Sequence, residues 1–367
     1  MKITKPTLVV NKDKVLRNIK RMKEKVENSP GRIRFRPHFK THQSTKIGQW
    51  FRELGITAIA VSSVDMALFF AQAHWQDITL AVLVNPLQIE AINQLIKTFE
   101  VDLNLVVDSC DRVIFLNKKL KYPVKLWIKI DTGYHRTGIQ WDQKEEVLRI
   151  VREIKRSPRL HFRGLLTHSG HSYRAGSTQE IKDIYSDTVS KMGALRGYLA
   201  ESGIFNVEIS MGDTPTCSVV EEFYGVDEIR CGNFVFCDLM QFYLGSCKEE
   251  DIAAAAACPV LARYPQRNEI VIYGGAIHLS KESLTGTNRP THFGLVALPG
   301  STYWNWGPII ADTFVASLSQ EHGIIKTTPA LLNQIDTGDI VMILPVHSCL
   351  TANLLGEPLC GPEPNTD

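Results

Sequence analysis

Between residues 33 and 230 short apolar runs alternate with longer stretches of helical spacing, and this alternation limits the fold more than any other feature. The runs fall at 33–35, 58–61, 78–83, 103–107, 124–130, 160–166, 207–210 and 228–230. Most are separated by stretches, at 44–54, 64–73, 87–97, 111–119, 144–155 and 178–201, whose apolar residues recur three and four apart, as in a helix with one buried face. Strands joined by helices pair in parallel, and eight such units make the count that closes a (β/α)8 barrel. Upstream, residues 7–10 read as a further short strand, and Asp13 reads as the cap of a basic helix running to Glu27. Beyond Leu244 the long helical stretches stop. Short β-like runs at 269–273, 293–298 and 340–344 lie between turns containing glycine and proline, the texture of a second, mostly β domain. The barrel is expected over residues 12–245 and the β domain over 246–367, with a loose tail from 356 onward.

With 367 residues there is enough chain for both domains. The 41 basic and 39 acidic residues leave a formal net charge of +2, which produces no field for nucleic acid or an anionic membrane. The start of the chain is rich in lysine and has no apolar segment, so no signal peptide is expected. The apolar run at 252–262 is too short to span a bilayer. Eight cysteines without a CxxC pair read as reduced thiols in a cytoplasmic protein.

The polar motifs follow the expected strands. Lys40, in Arg36-Pro37-His38-Phe39-Lys40-Thr41-His42, follows the first; Asp131-Thr132-Gly133, with Arg136, follows the fifth; and His168 with Gly170-His171-Ser172-Tyr173 follows the sixth. Gly212-Asp213-Thr214-Pro215-Thr216 follows the seventh, and Arg230-Cys231-Gly232-Asn233 ends the eighth. All lie at the carboxyl ends of strands, where barrel enzymes build their sites, and the last two loops are those that commonly hold a phosphate. Any one of these residues alone reads as an ordinary turn, ion pair or core polar group. Five clusters on one rim do not. A lysine there can form a Schiff base with an aldehyde cofactor, and opposite phosphate-type loops that cofactor is pyridoxal phosphate.

These motifs resemble the D-threonine aldolase and D-serine dehydratase family of alanine-racemase-like, fold-type III pyridoxal phosphate enzymes, over nearly the whole chain. The resemblance implies that Lys40 holds the cofactor as a Schiff base and that Arg230 faces the pyridine nitrogen. It implies phosphate binding by Thr214, Thr216, Gly232 and Asn233, and cofactor contacts from Arg136, His168 and Tyr173. It also implies that residues 1–11 leave the barrel and join the β domain, and that the enzyme is a homodimer. Two positions depart from the family pattern: Cys231 stands where proline is usual, and Asp213 where a small residue is common. An acid beside a phosphate repels it, so Asp213 is expected to turn away or to meet a cation.

His347-Ser348-Cys349 is the second constellation. On an extended segment residues two apart share a face, and imidazole with thiolate suits zinc. The resemblance implies a divalent metal on these two ligands beside the cofactor; the ligand chemistry points to zinc, with manganese as the alternative. It further implies a lyase acting on small D-β-hydroxy amino acids. His-x-Cys resembles the dehydratase branch, so D-serine dehydratase-like loss of water to a 2-oxo acid and ammonia is the expected activity. The alternatives are D-threonine aldolase, D-3-hydroxyaspartate dehydratase, an amino acid racemase and a non-catalytic pyridoxal phosphate carrier.

Overall fold

The computed structural model describes residues 3–286, 289–302 and 304–361. In chain order its strands are β1 (Thr7–Val10), β2 (Arg34–Phe35), β3 (Ala58–Val61), β4 (Asp77–Leu83), β5 (Asp102–Val107), β6 (Val124–Asp131), β7 (Ile139–Gln140), β8 (Leu160–Leu166), β9 (Glu208–Met211) and β10 (Glu228–Ile229). They continue with β11 (Ala254–Tyr264), β12 (Glu269–Tyr273), β13 (Leu284–Gly286), β14 (Arg289–His292), β15 (Gly294–Ala297), β16 (Phe314–Leu318), β17 (His322–Lys326), β18 (Ile340–Pro345) and β19 (Leu359–Cys360). The chain divides into two compact units. One comprises Lys20–Lys40 and Thr45–Gly232; the other comprises the residues up to Ile19, Thr41–Ser44 and those from Asn233 onward.

The first unit is the eight-stranded parallel barrel. Its strands run in the order β2-β10-β9-β8-β6-β5-β4-β3. The ring closes where the segment after β2 meets β3: Phe39 N–H donates to Ala60 O at 2.9 Å, and Ala60 N–H donates to Pro37 O at 3.0 Å. Three of the helices between the strands start on serine caps. Ser63, Ser109 and Ser177 each accept from a backbone N–H in the first turn, which satisfies a donor the helix cannot use internally. The first helix, Lys12–Asn28, is capped by Asn11, whose Oδ1 accepts from Lys14 N–H at 3.0 Å, and not by Asp13. Asp13 sits inside the first turn, where the positive end of the helix dipole favours an acid. The two-residue strand β7, added to β6, is too short to leave a periodic signal.

Toward the strand starts the barrel contains an ionic network. Arg36, fully buried, donates to Glu228 Oε2 at 2.7 Å and grips Asp77 with both terminal nitrogens at 2.7 and 2.9 Å. Arg34 and Arg163 converge on Glu208 at 2.9 and 3.1 Å. Burial alone would raise Glu228, but Arg36, a hydrogen bond from Ser210 and Arg230 bring it down to about 2.

The second unit is an antiparallel β structure. Strands β12, β17, β16, β15, β18 and β11 follow one another, and β12 also pairs with β11, closing a six-membered ring. β1 adds antiparallel to β11, with Leu8 opposite Ala256. The alanine-rich start of β11 carries little β propensity, so it reads in the sequence only as an apolar run. In the fold Ala256 is buried among Val296, Val315, Ile325 and Ile343, and Ala255 and Ala257 among Val9, Leu295 and Met342. The tail is not loose where the sequence reading places it: Leu359 and Cys360 pair in parallel with Val9 and Val10. Residues 362–367 lie outside the described residues.

Candidate functional site

The turn that carries Lys40 is held by its neighbours. Phe39 is fully buried, with ring centroids of Phe51, Phe70 and Trp75 each 5.0 Å away. His38 bridges to Ala60 on the adjoining strand, and its Nδ1 accepts from Lys40 N–H at 3.4 Å. With both flanking side chains fixed, the Lys40 backbone has one position on the rim, and its side chain is exposed.

Around this turn the barrel gathers positive charge. His38 is pushed well below its ordinary pKa by burial and then by Lys40 and Arg230. His168 is pushed the same way by burial, Lys129, Lys40 and Arg136. Lys129, on β6, is itself held well below the usual lysine range by burial, Arg230 and Arg136. Burial brings Arg230 down to about 10. The mutual influence of these groups places Lys40, Lys129, Arg136, His168 and Arg230 in one neighbourhood, and such a neighbourhood favours a multiply charged anion.

Each group is oriented. His168 Nδ1 lies 2.6 Å from Gly212 O; a carbonyl accepts, so Nδ1 carries the proton and Nε2 keeps its lone pair. Arg230 donates from Nε to Ser210 Oγ at 2.6 Å and from Nη2 to Thr167 O at 2.6 Å. The Arg136 guanidinium lies over the Tyr134 ring, 5.0 Å from its centroid. The loop between β6 and β7 is pinned by Asp131, whose Oδ1 accepts from the N–H groups of Gly133, Tyr134 and His135 at 2.9, 3.0 and 3.1 Å. Gly138 has φ +109°, and a Cβ there would come within 2.9 Å of both Lys129 Cγ and Lys129 O, so the buried lysine requires a glycine opposite it.

The loop after β9 is similarly close-fitting. A Cβ on Gly212 would meet the Arg230 backbone at 2.5 Å. Thr214 N–H donates to the Tyr173 hydroxyl at 3.2 Å, while the buried Thr214 Oγ1 has no hydrogen-bond partner, as a hydroxyl awaiting a ligand would. Asp213 turns onto the first turn of the helix Thr214–Val219. It accepts from Thr216 N–H at 2.9 Å, Thr216 Oγ1 at 2.8 Å and Ser172 Oγ at 2.7 Å, and burial pushes it up to about 6. The Thr216 hydroxyl is therefore committed to Asp213. Cys231 is buried beside Cys217, and its carbonyl accepts from His38 N–H at 3.0 Å.

The second unit holds Asn233, His347 and Cys349. The extended reading of 347–349 is incorrect: His347 is the N-terminal cap residue, and Cys349 lies in the first turn, of the helix Ser348–Leu355. The turn still brings the two side chains within hydrogen-bonding reach. Against burial, the bonds to Cys349 and Glu282 carry His347 up to about 10. His347 Nδ1 is 2.8 Å from Glu282 Oε2, which leaves Nε2 for the sulphur or for an ion. Cys349 Sγ donates to Thr41 Oγ1 at 3.3 Å. An imidazole and a thiol facing each other, with a carboxylate behind the imidazole, fit a divalent ion as an open two-donor site. Among the described residues no cluster of three or more His, Cys, Asp or Glu could hold a metal. Asn233 lies in the short turn Asn233–Val235, and its side chain binds Asp238 and Ser348.

Sequence reasoning missed Lys129, Asp238, Glu282 and the orienting role of Asp131. Lys129 left a signal: Trp127, Lys129 and Asp131 alternate on one face of a strand otherwise apolar in its interior. Asp238 left only the signal of a helix cap, with nothing to show its bond to Ser348 110 residues away, and Glu282 left none, since its partner lies 65 residues away.

Comparison with known proteins agrees with this architecture. A D-serine dehydratase from Dictyostelium discoideum is 28% identical, covering 89% of this chain and 85% of its own length. D-threo-3-hydroxyaspartate dehydratase from a Delftia species is 27% identical over 94% of this chain and 91% of its own. Its solved structure superposes with a TM-score of 0.88, over 96% of this chain and 93% of that one. A cysteine-to-alanine variant of that dehydratase was solved in a metal-free form, with a TM-score of 0.87 over the same shares of each chain. The alanine racemase N-terminal domain matches residues 10–239, and the putative serine dehydratase domain matches residues 253–360. The chain belongs to the alanine racemase N-terminal domain family, among the members that carry a serine dehydratase domain.

Proposed function

We propose that this protein is a pyridoxal phosphate- and zinc-dependent lyase that removes water from a D-β-hydroxy amino acid, with D-serine giving pyruvate and ammonia. The observation that carries the reading is the gathering of Lys40, Lys129, Arg136, His168 and Arg230 beside a buried, unpartnered Thr214 hydroxyl. Lys40 is the residue to hold the cofactor aldehyde, and Thr214, Gly232 and Asn233 to hold its phosphate; the Thr216 donors are both taken by Asp213. His347 and Cys349 are the residues to hold the ion. Pyridoxal phosphate supplies an electron sink for negative charge at Cα, and zinc supplies a Lewis acid for the β-hydroxyl.

The chain's own groups then divide the work. The Lys40 amine would take the proton from the substrate Cα. Arg230 remains charged at neutral pH and would hold the cofactor at its pyridine nitrogen. His168 and Lys129 are held toward their neutral forms by burial, so each can accept a proton or a hydrogen bond at its nitrogen. Tyr173 holds the start of the phosphate loop through Thr214 N–H. The dehydratases among the relatives and the His-x-Cys pair favour elimination over aldol cleavage.

The enzyme acts as a homodimer in the cytoplasm in this reading. Among the described residues no helix is long and apolar enough to cross a membrane. The test is a panel of D-serine, D-threonine and D-3-hydroxyaspartate, with their L forms, assayed for 2-oxo acid, ammonia, glycine and aldehyde. The reading expects 2-oxo acid and ammonia in equal amounts from a D substrate. Glycine with an aldehyde would replace dehydratase by aldolase, and bound cofactor without product would make the protein a carrier.

A further inference from the structure

Asp238 is fully buried and joins two segments of the β unit, each of which the functional reading assigns to a different ligand. Its Oδ2 accepts from Asn233 Nδ2 at 2.6 Å and from Ser348 N–H at 2.9 Å, and lies 3.2 Å from Ser348 Oγ. Its Oδ1 accepts from Gln241 N–H at 3.0 Å. The Ser348 hydroxyl also donates to Asn233 Oδ1 at 2.7 Å, closing a triangle of three buried side chains. Asn233 follows Gly232 in the proposed phosphate loop, and with both ends of its amide committed it has its backbone N–H and second amide hydrogen left for an anion. Ser348 stands between His347 and Cys349.

A buried carboxylate has no water to replace a lost donor, so Asp238 resists movement of either segment. Any adjustment of Asn233 to a phosphate therefore changes the partners of Ser348, and through it the backbone that spaces His347 from Cys349. Two independent sites would need no shared partner of this kind. We infer that Asp238, through Ser348, is a positioning residue that couples the grip on the cofactor phosphate at Asn233 to the metal-ligand pair, so that cofactor and divalent ion each tighten binding of the other. This rests on the assignment of phosphate to Asn233 and of the ion to His347 and Cys349.

The experiment measures zinc affinity of the full-length protein by competition with a chromophoric chelator, once stripped of cofactor and once loaded with pyridoxal phosphate. The reciprocal titration of pyridoxal phosphate, with and without zinc, completes the cycle. Loading should tighten zinc by about 5- to 150-fold, the usual range for coupled sites, and zinc should tighten the cofactor by the same factor. Ser348→Ala and Asp238→Asn should each bring that factor close to one; the serine variant serves if the aspartate variant does not fold. A merely structural role would weaken both affinities and leave their coupling intact. A wild-type factor of one, with both ligands bound, overturns the coupling and leaves the functional reading standing. A factor undiminished in the variants overturns the route through Asp238. Failure to bind stoichiometric zinc or cofactor overturns this inference and the functional reading together.

Discussion

The two units bury charge differently. In the barrel Arg36, Lys129, Asp213, Glu228 and Arg230 are all removed from solvent. In the β unit the inner cluster that runs from Ala256 to Ile343 is apolar throughout, and the buried carboxylates are Asp238 and Asp251. Removing ions from water costs several kcal/mol each, and even a well-paired buried bridge is a weak source of stability compared with apolar packing. In the proposed function Lys129 and Arg230 serve the cofactor, whereas Arg36 and Glu228 pair with each other toward the strand starts. The β unit draws its stability from apolar contact and presents its donors, His347 and Cys349, at one helix start.

The largest test of this contrast is Lys40→Ala. It should abolish turnover and the visible absorbance of the lysine-bound cofactor, and borohydride should no longer trap the cofactor on the protein; a reduced adduct on another lysine of the wild type would reassign the site. Next, exhaustive chelation or Cys349→Ala should abolish product formation while leaving that absorbance intact at saturating cofactor, because the bond to Lys40 does not need the ion. Full activity in protein shown metal-free by elemental analysis would remove the ion from the reaction.

Glu228→Gln leaves Arg36 with one carboxylate fewer in a fully buried place, and should cost about 3–5 kcal/mol in urea unfolding at neutral pH. Glu228 has a folded pKa of about 2 against an ordinary 4.5. Its stabilisation is therefore complete above 4.5 and lost as pH falls toward 2, so the gap between wild type and variant should narrow over that window. A pH-independent gap would argue that the loss is one of packing. Thr214→Ala removes a hydroxyl hydrogen bond to a charged phosphate and should weaken cofactor binding by about 1.5–3 kcal/mol, tenfold or more, with the fold intact. Equal affinity in equilibrium dialysis would count against the phosphate position. The smallest effect belongs to the β unit: Ile343→Val should cost about 0.5–1.5 kcal/mol, the same at pH 3 as at pH 7, since no charge is involved.

Several features are legible in the amino-acid sequence. The alternation from 33 to 230 announces a parallel barrel because side-chain period and element order are local properties of a chain. The lysine motif is legible because it sits at the end of a recognisable strand, and His347-Ser348-Cys349 chiefly through the family resemblance, since a His-x-Cys pair by itself is weak evidence. Reading the last of these as extended fails at a helix boundary, where a single turn changes which side chains face one another. β11 is hidden because alanine signals neither strand nor helix by periodicity.

By itself, then, the sequence determined the order of elements, the break to a β domain after the barrel, and the residue types that could carry the chemistry. The tertiary structure alone decided that Lys129 joins Arg136, His168 and Arg230, and that Asp238 binds Ser348. The physical reason is range. Periodicity and capping depend on neighbours a few residues apart, whereas the surroundings of a buried charge depend on partners brought together by folding, 110 residues apart for Asp238 and Ser348.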